Sequence, residues 1–279
     1  ANLVYHATER EEKKRVLLVT NELDPYLAIT EIAELVKKIA IQTQDGGMEV
    51  RILMPRFGII NERRNRLHEV VRLSGMNIII DDEDIPLVIK VASLPGARIQ
   101  VYFLDNDEFF KRKQVFEDDD EKPFDDNAER MVFFCKGVLE TVKKFGWAPD
   151  IIHCHGWMTS LVPMFIKTTY ALDPVFNQAK VIFSLYNSSF DYKLNDVFLS
   201  KANITKEIGE AELEYFNSLD FNGLQAGAVK YADAFIIGTP LFEKSETINT
   251  LLGEKPLMEC PEGDESLVNY LEFYKSLVN

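Results

Sequence analysis

The chain has 279 residues, 46% of them hydrophobic and 27% charged, which is enough to bury a sizeable core as one large domain or two small ones. Its formal charge of −14 at pH 7 argues against a reader of the phosphate backbone or a protein docked on anionic lipid, since both need a basic face. A neutral ligand such as a polysaccharide stays compatible with that charge.

No run approaches the roughly 18 apolar residues of a membrane helix. Ala1 to Lys14 are polar and charged and carry no apolar signal-peptide core, so the expectation is a cytoplasmic chain. Cys135, Cys154 and Cys260 are odd in number and widely spaced, which reads as buried, reduced thiols and not as a disulfide framework.

In chain order, the apolar run Arg15 to Thr20 reads as a buried strand. Ile29, Ile32, Leu35, Val36 and Ile39 recur at helical spacing and predict a helix over Leu27 to Ile41. Gly46 and Gly47 end it, and Glu49 to Met54 supplies the next strand, the opening of a parallel α/β sheet. Leu67 to Leu73, Asn77 to Ile80, Leu87 to Ala92 and Arg98 to Leu104 are β-rich, with turn residues between them, and predict hairpins or an antiparallel extension over about 62–104. Glu117 to Asp126 holds seven acids in ten positions and reads as a mobile, solvated loop.

Regular alternation then resumes. A helix over Asn127 to Phe145 stops at Gly146. A strand over Asp150 to Cys154, a helix over Trp157 to Thr168 and a strand over Lys180 to Leu185 follow. Ile204 to Tyr231 reads as mostly helical and Ala234 to Gly238 as the last strand. Leu267, Leu271, Tyr274 and Val278 form one apolar stripe on a closing helix of about 264–278. The expectation is a single domain over 1–279, α/β and Rossmann-like. Its sheet is mainly parallel with helices on both faces and a β-hairpin insertion.

Six ordered landmarks carry a family resemblance: Val19 to Tyr26, Met54 to Gly58, Val101 to Asn106, Asp126 to Arg130, Gly146 to His155 and Leu224 to Asp233. Each alone is weak, but together and in this order the chain resembles the glycogen and starch synthases, and most closely their short single-domain relatives. The resemblance implies the N-terminal half of a two-domain GT-B fold and a glucosyl transfer from a nucleotide sugar to an α-glucan.

Three departures bear on that reaction. Where the family has Lys-Thr-Gly-Gly after Pro-Tyr-x, this chain has Ala28, Ile29, Thr30 and Glu31. The family's lysine offsets diphosphate charge and its glycines let backbone amides approach; Glu31 puts a carboxylate there instead. The family's aspartate after His-x-His is Gly156 here, and the histidine of its Ile-His-Asn turn is Tyr186, which is a poor general base near neutrality. Thirty-nine residues follow Pro240, too few for a second Rossmann domain. GT-B enzymes tend to return their last helix onto the N-terminal domain, so the resemblance implies that the stripe of Leu267, Leu271, Tyr274 and Val278 does the same here.

These departures leave no expected catalytic residue. The resemblance implies substrate contacts at Glu22, Tyr26, Asn106, His155, Trp157 and Asn187, with no metal and no cofactor. His153 and His155 have no further Cys or acid at ligand spacing, so zinc is not expected; one is expected to pack and the other to line a strand-end crevice. Glu129 and Arg130 read as an internal ion pair. The expected function is a glucan-binding or protein-interaction domain without independent transferase activity. Its expected partners are an α-glucan or malto-oligosaccharide, a protein partner or a second copy, but neither nucleic acid nor membrane. The alternative is an active retaining glucosyltransferase, with Glu22, Tyr26, His155 and Asn187 compensating or a separate chain supplying the nucleotide-binding half.

Overall fold

A computed structural model of the chain describes residues 12–202, 208–263 and 266–279. Its strands are β1 (Arg15–Thr20), β2 (Glu49–Pro55), β3 (His68–Glu69), β4 (Met76–Ile80), β5 (Glu83–Ser93), β6 (Gln100–Asp105), β7 (Ile151–His155), β8 (Lys180–Leu185), β9 (Ala234–Ile237) and β10 (Leu257–Met258). The α-helices are α1 (Ile32–Asp45), α2 (Asp107–Phe110), α3 (Asn127–Phe145), α4 (Val162–Lys167), α5 (Phe198–Ala202), α6 (Phe221–Tyr231), α7 (Glu246–Leu252) and α8 (Ser266–Val278). The strand order is β10-β9-β8-β7-β1-β2-β6-β5-β3, with β4 paired to β5. From β10 to β6 every pairing is parallel. Near-continuous burial of β1, β7 and β8 follows from cover on both faces.

The insertion is smaller than expected. β6 pairs with β2 in parallel, so it belongs to the central sheet, and only β3, β4 and β5 run antiparallel beyond it. Apolar runs bounded by turns look alike whichever way the neighbouring strand runs. What marks β6 as central is that all residues from Val101 to Asp105 are buried. The insertion is tied down by charge: Asp105 accepts from Arg56 at 2.8 Å and pairs with Lys90 at 3.0 Å, and Lys90 also holds Glu62.

Helix α1 starts five residues later than its periodicity suggests. Leu23 and Leu27 bridge to each other, and the Glu22 carboxylate accepts from the Ile29 and Thr30 amides. That holds Ile29 outside the helix and 50% exposed. The expected helix over Trp157 to Thr168 is two pieces, a 3-10 turn at Trp157–Thr159 and α4. The Thr159 and Ser160 hydroxyls donate to carbonyls three residues back, and Pro163 lacks the N–H that a continuous helix would use there. α7 and β10 were not anticipated; Ser245 caps the first by accepting from the Ile248 amide. Of the expected helical region after Ile204, residues 204–207 lie outside the described residues, and the rest is a 3-10 turn at Glu214–Ser218 followed by α6.

The acidic segment is an ordered turn. Asp118 accepts from the Asp120 and Lys122 amides, Asp119 accepts from Gln114, and Asp126 pairs with Arg112. Glu129 and Arg130 do not pair, because successive helix residues point about 100° apart. Arg130 is buried and donates to the carbonyls of Phe109 and Val115 and to Asn127 Oδ1, while Glu129 faces Lys201 at 3.8 Å.

α8 packs beside α1, where Leu271 fills the space that a side chain at Gly46 would occupy. Residues 264–265 of its expected span lie outside the described residues. The buried positions are Tyr270, Leu271 and Tyr274, while Leu267 and Val278 are half-buried. Tyr274 reaches the middle of the sheet, its hydroxyl 2.5 Å from His153 Nδ1. Removing Pro261 to Asn279 is expected to lower Tm by on the order of 10 °C, from the lost apolar burial. Tyr274→Phe should cost about 1–3 kcal/mol by leaving the imidazole unpaired. Thermal melts of both variants check this, and a Tm equal to wild type in either contradicts the packing.

Candidate functional site

A crevice of about 400 Å³ opens at the carboxyl ends of β1, β7 and β8, where ligands of parallel α/β sheets sit. The loop after β1 contributes Asn21, Glu22, Ile29 and Thr30; the loop after β7 contributes Gly156 and Trp157; the loop after β8 contributes Ser188, Phe190 and Tyr192. Phe116 and Glu117 close the far wall. The aromatic side is a packed set of rings: Trp157 lies 5.0 Å from Phe116 and edge-on at 5.1 Å to Phe190, which stacks on Tyr192 at 4.5 Å. Among the described residues no Lys, Arg or His lines this crevice.

Glu22 forms the floor. Its Oε1 accepts from the Ile29 amide at 3.0 Å, the Thr30 amide at 2.6 Å and the Thr30 hydroxyl at 3.1 Å. Burial raises its pKa, and these donors offset part of that rise. Gly156 has φ +92, and a Cβ there would lie 2.5 Å from the Asn21 side chain. Asn21 is itself fixed, accepting from the Met158 amide at 3.1 Å. The missing aspartate is therefore excluded both by backbone conformation and by a neighbour.

Glu31 ties three loops together at the rim. It accepts from the Ser188 hydroxyl at 2.9 Å and the Thr239 hydroxyl at 3.2 Å, and Thr239 accepts in turn from the Asn187 amide at 3.2 Å. The loops after β1, β8 and β9 thus converge on one carboxylate. Tyr186, in the position of the family's histidine, is buried over Gly238, where a Cβ would meet its ring at 2.3 Å.

Behind this rim lies a buried polar chain. His153 and His155 share one face of β7, their ring centroids 3.8 Å apart. Tyr274 partners His153 Nδ1, the Ser184 hydroxyl partners Nε2 at 2.6 Å, and the Tyr186 hydroxyl partners His155 Nδ1 at 2.6 Å. His155 Nε2 has no partner among the described residues. Burial pushes the His155 pKa down to about 3, and burial together with the neighbouring ring pushes His153 well below its ordinary value. Both imidazoles are neutral.

Of the six expected contacts, Glu22 and Trp157 line the crevice and Asn187 is exposed at its rim beside Ser188. His155 is fully buried beneath Tyr186 and does not line this crevice, which corrects the expectation that one imidazole lines it. Tyr26 packs edge-on to Phe103 at 4.9 Å and donates to the Ser93 carbonyl, away from the crevice. Asn106 caps α2 by accepting from the Phe109 amide, and donates to the Pro86 carbonyl. The sequence reading does not name Phe116, Phe190 or Tyr192; the Phe-Asp-Tyr run just after Ser188-Ser189 is the one signal that could have found the last two. Among the described residues no group of three or more His, Cys, Asp or Glu is placed to hold a metal ion, and no helix is long and apolar enough to cross a membrane.

The profile of the starch synthase catalytic domain matches residues 15–240. A glycogen synthase of Chlorobaculum parvum is 34% identical over 269 residues, covering 92% of this chain and 53% of that protein. A glycogen synthase of Chlorobaculum tepidum is 39% identical over 227 residues, covering 78% and 44%. This chain therefore spans about half the length of the curated relatives it matches. Among solved structures, the catalytic domain of starch synthase IV from Arabidopsis thaliana, bound to ADP and acarbose, shares the fold with a TM-score of 0.72 at 19% identity. That match covers 89% of this chain and 51% of the other.

Two outcomes follow from the site. Gly156→Asp is expected to destabilise the fold by about 2 kcal/mol or more, from left-handed strain plus the clash with Asn21, and a denaturant melt measures it; an unchanged midpoint contradicts the interlock. The two imidazoles set a pH dependence. Their folded pKa values lie below the ordinary 6.5, so the stability they contribute is complete above about pH 6.5 and is lost as pH falls toward the folded values. The slope is up to about 1.4 kcal/mol per pH unit for each ring. His155→Asn should show a shallower loss than wild type between pH 7 and pH 5, and equal slopes would mean that His155 titrates freely in the fold.

Proposed function

This chain belongs to the family of starch synthase catalytic domains, and from that membership we propose that it holds a neutral α-glucan without transferring glucose by itself. The observation that carries the proposal is the lining of the strand-end crevice: stacked aromatic rings, hydroxyls and carboxylates, with no cation. Sugar rings present apolar faces to aromatic side chains and hydroxyls to polar ones, so this lining suits a malto-oligosaccharide.

A sugar-nucleotide diphosphate meets the opposite situation. Glu22, Glu117 and Asp191 line the crevice and Glu31 stands at its rim, so its phosphates would enter among carboxylates with no lysine or arginine among the described residues to offset them. Like charges brought together in a partly desolvated site cost binding energy. The proton inventory agrees. Among the described residues, the imidazoles near the site are neutral, sealed from the crevice and paired to tyrosine and serine hydroxyls. Neither is placed to assist transfer to a glucan hydroxyl.

Incubating the protein with glycogen and labelled ADP-glucose, then pelleting the polymer, tests both halves of the reading. The expected result is protein in the pellet and no label in the glycogen. Phe190→Ala is expected to weaken pelleting about tenfold by removing one stacking ring. Label in the polymer would overturn the loss of transfer. Protein left in the supernatant would overturn glucan binding and turn attention to the exposed Ile29 and Leu241 as a docking surface for a protein partner.

A further inference from the structure

We propose that a second concavity, at the antiparallel edge of the sheet, is a binding site for a small phosphate-bearing polyol. It measures about 630 Å³ and shares no lining residue with the strand-end crevice. Arg64, Arg66 and His68 stand on one side, Ser93 and Gln100 on the other, and Tyr26 between them; among the described residues no aspartate or glutamate lines it.

Among the described residues, the arginines away from the antiparallel edge are committed, whereas Arg63, Arg72 and Arg98 near it are exposed and unpaired as well; what sets Arg64 and Arg66 apart is that both line one hollow. Arg15 pairs with Glu49, Arg56 with Asp105 and Arg112 with Asp126. Arg130 donates to carbonyls, and Arg51 lies over the rings of Phe145 and Trp147. The Arg64 and Arg66 side chains have no ion-pair or hydrogen-bond partner among the described residues. Glu62, in the same turn, is committed to Lys90. In a chain of net charge −14, two free guanidinium groups around one hollow are a local reversal of sign.

The turn that carries them is ordered before any ligand arrives. Asn61 Oδ1 accepts from the Arg64 amide at 2.8 Å, Asn65 Nδ2 donates to the Asn61 carbonyl at 2.8 Å, and the Leu67 amide donates to the Glu62 carbonyl at 2.9 Å. Arg66 sits at φ +56, in the left-handed region that disfavours a side chain of this size and suits Gly or Asn. Strain of this kind is found where a side chain has to be held in one place.

Planar guanidinium groups match phosphate oxygens two at a time, which is why arginine dominates phosphate recognition. The opposite wall supplies uncharged hydrogen-bonding groups: the Ser93 hydroxyl and the Gln100 side-chain amide, whose Nε2 donates to it at 3.3 Å. Those groups suit the hydroxyls of a polyol. The size of the hollow and the acidic remainder of the surface exclude an extended polyanion, so the ligand is a small molecule.

Isothermal titration with glycerol 3-phosphate at low ionic strength tests the proposal, with inorganic pyrophosphate as a second probe and glycerol as the uncharged control. The expected result is binding of both anions and none of glycerol. Arg64→Gln/Arg66→Gln should weaken binding at least about tenfold, while Arg72→Gln/Arg98→Gln, exposed arginines outside the hollow, should leave it within about twofold. Ser93→Trp, which fills the hollow without changing charge, should also abolish binding and stands in if the double variant melts early. No binding to wild type, equal loss in both arginine pairs, or full binding by the Trp variant would each overturn the site. Because no residue is shared with the crevice, glycogen pelleting by these variants stays at the wild-type level, so failure here and failure of glucan binding are told apart.

Discussion

The two imidazoles of β7 organise the molecule around them. A neutral ring in a fully buried position still carries a donor and an acceptor, and each left unpaired costs on the order of 1–3 kcal/mol. His153 is satisfied only if α8 brings Tyr274 to one nitrogen and β8 brings Ser184 to the other. His155 needs Tyr186 at the end of β8. Because side chains alternate along a strand, a slip of one residue would exchange these rings for Cys154 on the opposite face. The polar chain therefore specifies the register of β7 between β1 and β8, the docking of the last helix and the start of the β8 loop in a single arrangement.

From Tyr186 the constraint passes to the site. The two residues after it, Asn187 and Ser188, bond to Thr239 and Glu31, so the rim of the crevice is positioned by what lies buried behind it. The positions that depart from the family's pattern are not vacancies. Glu31 gathers hydroxyls from two other loops, Gly156 lies against Asn21, and Tyr186 packs over Gly238. Each of these three has partners, and the partners would have to change with it. Altered residues interlocked in this way act as a unit, and effects of substitution within such a unit do not add.

Charge is distributed with the same economy of partners. Acidic and aromatic groups collect at the carboxyl ends of the parallel strands, and unpaired arginines collect at the antiparallel edge, with Lys90, Asp105, Glu62 and Arg56 forming the paired network between them. The loop from Asn21 to Thr30 has residues in both regions, Tyr26 in the basic hollow and Glu22 in the crevice. Its Leu23–Leu27 bridge and the Glu22 hydrogen bonds give it one shape that serves both.

Apolar periodicity and turn residues determined the main strands of the parallel core, the α3 boundaries from Asn127 to Phe145 and the presence of a C-terminal helix. These follow from local chemistry, because a strand buried on both faces and a helix with one apolar face each leave a pattern in the chain. Glu22 and Trp157 were legible as site residues because they adjoin strand ends in recognisable motifs. The tertiary structure alone decided that β6 is central, that His155 is sealed and not presented, that Tyr26 faces a different hollow and that Phe190 and Tyr192 wall the crevice. It also decided that Glu31 is a clasp between loops more than 150 residues apart in the chain. Such facts depend on which distant groups complete a hydrogen bond or remove water from a ring, and no window of neighbouring residues contains them.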